Sequence, residues 1–487
     1  MRLTDHDASF LYAETASAPM HGASVTVIEG EIPFAAFVDH MASRLHLIPR
    51  YRQRLAFVPF NIAHPKWVDD PDFDLKHHVR SHAVAPGTSL EDAIQASIKL
   101  TEPLLPRDKP LWMMVLIEGV SGHTVLLSMG HHALVDGASG IDISLILFDL
   151  QKDPPPTPAP AKAWLPAPAP TPFELTSEAA AETAEKWRTQ FGSQESSAER
   201  GELLRRAAES MTRFISEPVV TAPWNASMIG PKRLFEWRRL SFGAFRNIRR
   251  SFGGTVNDVV LALVVESAAR YMALHKERVA ERHLRVMVPV SVRREDEKGA
   301  LGNRVSGIFP MFSAEPMEIT ERLRKVRWET EHIKQNREAQ AMELMMESMP
   351  SLPPLTMAPT LLVGSAFDPT ALAARFPLPV PPSFAPRLPM VGYNFTCTNI
   401  PGVQTTQYLL GHRISDSLAV LMLNGNIGYG IAVVSYNQGL YFNFISDPRL
   451  LPDLHIMADG VVDAFSELLA AADLSQADLA PNNAAAS

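Results

Sequence analysis

Between Asp153 and Pro172, nine of the twenty residues are proline. No helix interior or central strand tolerates that density, because proline fixes φ and removes a backbone donor. The segment is therefore a linker, and it obliges the chain to fold as two units. With 487 residues, each side is long enough to bury its own core. The expected organisation is an N-terminal lobe over 1–152, the linker with bridging helices over 153–231, a C-terminal lobe over 232–473 and a disordered tail over 474–487. The stretch from Glu174 to about Phe214 is polar, Ala/Glu-rich and helical in propensity, and is read as the bridge.

Both lobes mix strands with helices. In the first, His21–Gly30 reads as a strand, and Pro33–Leu47 repeats apolar residues at helical spacing (Phe34, Phe37, Val38, Met41, Leu45). Ser89-Leu-Glu-Asp92 resembles a capping box opening a helix towards Leu105. Trp112–Ile117 and Thr124–Met129 read as adjacent antiparallel strands, followed by a turn and a helix over Ser139–Leu150. In the second lobe, Thr255 and Asp258 mark the start of a helix to His275. Leu284–Val292 and Ser306–Phe312 are expected strands, and Glu315–Asn336 a charged amphipathic helix. More strands fill Val391–Phe444, before a last helix from Pro452 to about Ala471.

Composition excludes several function classes. The net charge is -8, and the short basic runs Arg249-Arg250 and Arg293-Arg294 make no stripe for nucleic acid. One cysteine, Cys397, forbids an intramolecular disulfide, and its strand-like surroundings point to a buried inert thiol. The N-terminus lacks an apolar leader core and no run of about 20 apolar residues exists, so a spanning helix is not expected. The uncharged glycine-containing window Ser417–Ser446 reads as short strands.

The segment richest in chemistry is Ser128-Met-Gly-His-His-Ala-Leu-Val-Asp-Gly-Ala-Ser139, placed between a strand and a helix. Histidine suits proton exchange near neutral pH. Glycines at 137 and 140 permit a tight turn, so a loop here can push one imidazole into a cleft. Two other readings stand beside this one. Both histidines could be satisfied core or surface groups. They could also bind zinc with Asp136, but adjacent histidines point in different directions and no further ligand cluster is evident, so no metal is expected.

The HHxxxDG pattern of His131, His132, Asp136 and Gly137 resembles that of the coenzyme A-dependent acyltransferase superfamily. That superfamily includes chloramphenicol acetyltransferase and condensation domains. In order along the chain, the blocks Pro19-Met-His21, Pro49-Arg-Tyr-Arg-Gln-Arg-Leu55, Trp67-Val-Asp69, Pro110-Leu-Trp112, Asn257-Asp-Val-Val-Leu-Ala262, Pro289-Val-Ser-Val-Arg293, Gly302-Asn-Arg-Val305 and Asn399-Ile-Pro-Gly402 resemble the bacterial bifunctional wax ester synthase/diacylglycerol acyltransferase family. Two places depart from its pattern. Glu266-Ser-Ala-Ala-Arg270 stands where a small Gly-Ala pair is usual, with Glu266 and Arg270 spaced to pair at i,i+4. Ser415-Asp-Ser-Leu418 replaces a proline-containing segment. Both leave the chemistry intact and bear on substrate preference.

The resemblance implies an α/β, two-lobed, chloramphenicol acetyltransferase-like (condensation-domain-like) fold with mixed sheets and flanking helices, and a tunnel between the lobes. It implies transfer of a long-chain acyl group from acyl-CoA, as co-substrate with no bound cofactor, to diacylglycerol or a long-chain alcohol. His132 is the implied catalytic base. His131 is structural, Asp136 is an organiser paired with Arg52, and Gly137 allows the turn. Pro110, Leu111 and Trp112 are expected to shape the core beside the active strand, with contact to substrate or the lobe interface as the alternative. Asn257, next to Asp258, either caps its helix or touches substrate. Arg293, Asn303 and Arg304 either hold the lobe interface or contact coenzyme A phosphates.

The implied setting is cytoplasmic, with peripheral contact to the inner face of the membrane or to lipid inclusions. The chain is read as monomer or homodimer, with no nucleic-acid partner. Leu352–Met390 is expected either to touch lipid or to pack as a connection on the second lobe. Two alternatives are an acyltransferase with another acceptor or a carrier-bound donor, and a non-catalytic lipid-binding relative. The intact His132, Asp136 and Gly137 argue against the second.

Overall fold

The computed structural model describes residues 1–134, 143–192, 198–216, 219–291, 305–348 and 392–479. In chain order the strands are β1 (His21–Glu29), β2 (Gln53–Ala56), β3 (Lys66–Asp69), β4 (Val79–Thr88), β5 (Trp112–Val120), β6 (His123–His131), β7 (Leu234–Ser241) and β8 (His283–Ser291). They continue as β9 (Val305–Ile308), β10 (Met311–Ser313), β11 (Phe395–Ile400), β12 (Tyr408–Leu409), β13 (His412–Val420), β14 (Tyr429–Tyr436) and β15 (Gly439–Ser446). The principal helices are α1 (Asp5–Ala13), α2 (Phe34–Arg44), α3 (Leu90–Lys99), α4 (Pro172–Gly192), α5 (Ala198–Ser216), α6 (Phe242–Phe252), α7 (Val256–Leu274), α8 (Ile319–Gln335) and α9 (Leu454–Leu479).

Among the described residues, the strands form a six-stranded sheet ordered β12-β13-β1-β6-β5-β4 and a seven-stranded sheet ordered β10-β8-β11-β14-β15-β7, with β9 also on β8. Both sheets are mixed: β4–β5, β8–β11 and β11–β14 run parallel, and the other pairs antiparallel. A separate β2–β3 hairpin stands beside the first sheet. Each large sheet lies over its own apolar core.

The lobes interlock. β13 comes from the second half of the chain but pairs antiparallel with β1, with Val25 opposite Leu418 and Thr26 opposite Ser417. Division by sheet therefore differs from division by chain position: 408–420 lie beyond 232 yet belong to the first sheet.

α7 is the central helix of the second lobe, with 14 buried residues. Thr255 accepts from the Asp258 N–H at 3.2 Å and Asp258 accepts from the Thr255 N–H at 2.7 Å, so its first turn is capped reciprocally. Inside this helix Glu266 is fully buried and accepts from Arg270 at 2.9 Å and from buried Arg322 of α8 at 2.8 Å. The i,i+4 pair thus exists within a larger buried ion cluster.

Three element boundaries need correction. The helix opened by Ser89 ends at Lys99, short of Leu105. The strand expected over Ser306–Phe312 is two, β9 and β10, separated at Pro310, because proline cannot donate to the ladder. The last helix runs on to Leu479, past the boundary placed at 473. Cys397 is buried in β11, and burial pushes its thiol up to about 12, so it is inert at neutral pH.

Among the described residues no single helix is long and apolar enough to cross a membrane. The apolar pair α6 and α7 bends by 97° and packs into the second core. Arg293, Asn303, Arg304 and the segment Leu352–Met390 lie outside the described residues.

Candidate active site

β6 ends at His131, and the backbone beyond it is gripped from both sides. The His131 N–H donates to the Leu111 carbonyl at 2.9 Å, and the His132 N–H donates to the Met20 carbonyl at 2.8 Å. The Leu134 N–H then closes back on the His131 carbonyl at 2.8 Å, making a tight turn. The segments that precede β5 and β1 thus clamp the two histidines in place.

The clamp sends the two rings to different environments. His131 is fully buried. Its Nδ1 accepts from the Ala133 N–H at 3.0 Å, which leaves Nε2 as the ring's donor position, and that nitrogen faces Glu14 Oε1 at 3.4 Å. Glu14 also accepts from the Met20 N–H at 3.0 Å and from Arg107 at 2.9 Å. Burial alone would raise this carboxyl; the His131 imidazole, the Met20 N–H and Arg107 outweigh it and hold Glu14 at about 2. A third imidazole, His21, lies opposite His131 in the ladder, and its Nε2 donates to the Thr101 carbonyl at 2.7 Å. Burial holds its pKa below the ordinary value.

His132 instead stacks on Phe10 of α1, ring centroids 4.7 Å apart, and lines a cavity of about 240 Å³. The cavity lies between the two sheets: Gly22, Ser24, Thr26, Ser128, Gly130, Ser417 and Leu418 line it from the first, and Thr398, Ile400, Ala432 and Val434 from the second. Strand residues at i and i+2 share a face. Small residues at 22, 24 and 26 of β1 and at 128 and 130 of β6 leave that face bare, and the bareness makes the room. A Cβ at Gly22 would meet nothing within 4 Å.

Other predicted residues support this arrangement or stand apart from it. Trp112 is buried between Tyr51 and His78, at centroid distances of 4.4 and 4.6 Å, and its indole N–H donates to the Tyr51 carbonyl at 2.8 Å. Pro110, Leu111 and Trp112 are all buried, and Tyr51 rather than Trp112 reaches the cavity. The Arg52 guanidinium lies over the ring of Trp164 at 4.5 Å. Asp136 and Gly137 lie outside the described residues, and the Arg52–Asp136 pair with them. Asp258 works in the α7 cap and accepts from Thr330 at 2.7 Å, while Asn257 is half-buried in the same first turn. Of the two departures noted in sequence, Ser417 and Leu418 form cavity wall, whereas Glu266 and Arg270 form the buried ion cluster.

Sequence reasoning missed Glu14, Phe10 and Arg107. No local signal marks Glu14, which meets His131 only through the tertiary fold. The period-2 run of small residues from Gly22 was the signal available for the cavity wall.

The model of the wax ester synthase/diacylglycerol acyltransferase catalytic domain matches residues 3–260, and that of the WS/DGAT C-terminal domain matches 301–469. The chain belongs to this family. Among its relatives is a putative diacylglycerol O-acyltransferase of Mycobacterium tuberculosis, 30% identical over 480 residues, covering 97% of this chain and 91% of the relative. A probable diacylglycerol O-acyltransferase of the same organism is 28% identical over 493 residues, covering 96% of each chain.

Among solved structures, the wax ester synthase/diacylglycerol acyltransferase from Marinobacter aquaeolei VT8 superposes with a TM-score of 0.62 at 22% identity, covering 97% of this chain and all of that one. The first condensation domain of the calcium-dependent antibiotic synthetase gives a TM-score of 0.60 at 14% identity, covering 96% of both chains. These two likenesses are of fold. They bear out the two-lobed α/β, condensation-domain-like architecture expected for a WS/DGAT protein.

Proposed function

We propose that this WS/DGAT protein transfers a long-chain fatty acyl group from acyl-coenzyme A to the hydroxyl of diacylglycerol or a long-chain alcohol, giving triacylglycerol or a wax ester. The observation that carries the reading is the division of labour between neighbouring histidines. His132 lines the cavity between the sheets, while His131 is buried against Glu14.

His132 takes the proton of the acceptor hydroxyl as its oxygen attacks the thioester carbonyl carbon. The tetrahedral intermediate then collapses, the C–S bond breaks, and the departing thiolate recovers that proton from the imidazolium. One imidazole closes the cycle and no covalent enzyme intermediate forms. General acid–base help of this kind contributes about 10²–10⁴-fold, and holding two substrates together in one cavity supplies the rest. Acyl-CoA enters as co-substrate. The acceptors are insoluble, so the protein works in peripheral contact with a lipid surface.

The test is thiol release from palmitoyl-coenzyme A with hexadecanol or dioleoylglycerol present. Release that depends on either alcohol, with ester formed in equal amount, supports the reading. Release without an acceptor marks a thioesterase, and no release with either alcohol sinks the proposal.

A further inference from the structure

The three most exposed large apolar side chains among the described residues are Phe60 (87%), Leu165 (83%) and Phe173 (80%). They lie far apart in sequence, but the structure ties the segments that carry them to one another. Phe60 sits in the loop between β2 and β3, with Phe57 and Ile62 also exposed beside it. Leu165 is held at the open end of the same hairpin, away from the loop: its neighbour Trp164 stacks under Arg52, and the Ala167 N–H donates to Asp69 Oδ2 at 3.0 Å. Phe173 opens α4, which packs against Pro59–Asn61.

The loop holds Phe60 out at a conformational cost. Phe60 has φ 59° and Asn61 φ 50°, the left-handed region that an aromatic side chain rarely adopts. Such strain persists where the surroundings enforce it and function repays it. Single exposed apolar residues need no explanation, but the three most exposed ones among the described residues all lie on the β2–β3 hairpin or on segments packed against it.

We infer that the β2–β3 loop, Leu165 and the start of α4 form one apolar edge that inserts into a lipid surface. The inference rests on the acyltransferase reading above, which requires access to water-insoluble acceptors. Position supports the choice of occupant. Tyr51 lines the reaction cavity and Phe57 follows six residues later, at most ~20 Å of chain, so an acceptor drawn from lipid at this edge has a short path.

Charge supports it as well. Of the cations nearby, Arg2 pairs with Glu182, Lys66 with Glu178 at 2.6 Å and Arg54 with Asp70 at 3.5 Å, while Arg50 and Arg52 lie over the rings of Trp67 and Trp164. With the whole chain at -8, attachment is driven by apolar insertion and needs no anionic lipid.

The experiment is flotation of the full chain with phosphatidylcholine vesicles, with and without phosphatidylglycerol, at low and high salt. Wild type is compared with the triple variant Phe60→Ser/Leu165→Ser/Phe173→Ser. Wild type should float with both vesicle types at both salt concentrations. The triple variant should lose about tenfold or more in partitioning. Its acyl transfer from octanoyl-coenzyme A to hexanol, both soluble, should stay within about twofold of wild type. Phe60→Gly guards against misfolding. Glycine relieves the positive φ, so this variant should melt no lower than wild type while binding vesicles more weakly.

Wild-type-like flotation of the folded variants overturns the inference. So does wild-type binding that requires phosphatidylglycerol and disappears with salt. A wild-type dimer that the triple variant converts to monomer, with flotation unchanged, assigns the edge to self-association instead. Failure of wild type to acylate hexanol counts against the reaction itself, and the vesicle result still decides the surface.

Discussion

Glu14 holds the Met20 N–H, the Arg107 guanidinium and the Nε2 face of His131 at once, and Met20 in turn holds the His132 backbone through its carbonyl. The carboxylate therefore positions the base without touching the cavity. Its pKa is depressed from 4.5 to about 2, so its stabilisation is complete above pH 4.5 and disappears as pH falls towards 2. Glu14→Gln should lower stability by up to about 3 kcal/mol at pH 7, and its melting temperature should converge on wild type as the pH drops through that window. A constant gap across pH would show that the charge on Glu14 contributes nothing. At the neighbouring pair, His132→Ala should cut acyl transfer by about 10²–10⁴-fold with melting unchanged. His131→Ala should reverse the pattern: about 1–3 kcal/mol of stability lost with the buried imidazole and its contact to Glu14, with a smaller effect on turnover per folded molecule. Equal turnover of wild type and His132→Ala would remove this imidazole from the mechanism.

At the scale of elements, the bare face of β1 and β6 decides what the cavity admits. Gly22 faces Gly130 across the ladder, and a side chain at 22 has only the cavity to enter. Gly22→Leu should fold normally, lose most activity with palmitoyl-coenzyme A and keep more with octanoyl-coenzyme A, read as the ratio of kcat/KM for the two donors. An unchanged ratio would mean that this wall does not meet the acyl chain. Gly402, which closes the Asn399-Ile-Pro-Gly402 block, is constrained for another reason: a Cβ there would run into the Ser435 carbonyl oxygen.

Much of this scale was legible in sequence, because helix caps and strand periods are local properties. The Thr255/Asp258 cap, the β5–β6 pair and the proline-rich linker all lie within a few residues of their signals. Three things were hidden. Glu14 meets a histidine 117 positions away. Pro310 splits a strand that apolar pattern alone ran together. The exposed Phe60 reads in sequence as one more apolar residue after a strand, since a left-handed turn at a phenylalanine has no local signature.

At the scale of the whole molecule, the second half of the chain lends β13 to the first sheet, and each core is also held by buried charge. In the second, Arg322 and Arg270 both serve the fully buried Glu266. Arg322→Met removes the only fully buried one of the two and should cost about 3–5 kcal/mol, seen as a lower melting temperature with little change in turnover below it.

The crossing strand also governs the order of events at the ribosome. β1 is a central strand only once β13 lies beside it; until then its open edge is a row of unpaired amides and carbonyls. About 280 residues separate β6 from β13, so at about 5–20 residues per second the nascent first lobe waits ~15–60 s with that edge exposed. A chain stopped before residue 412 should therefore be found with chaperones or in inclusion bodies, and supplying 392–479 as a separate peptide during synthesis should return part of it to the soluble fraction.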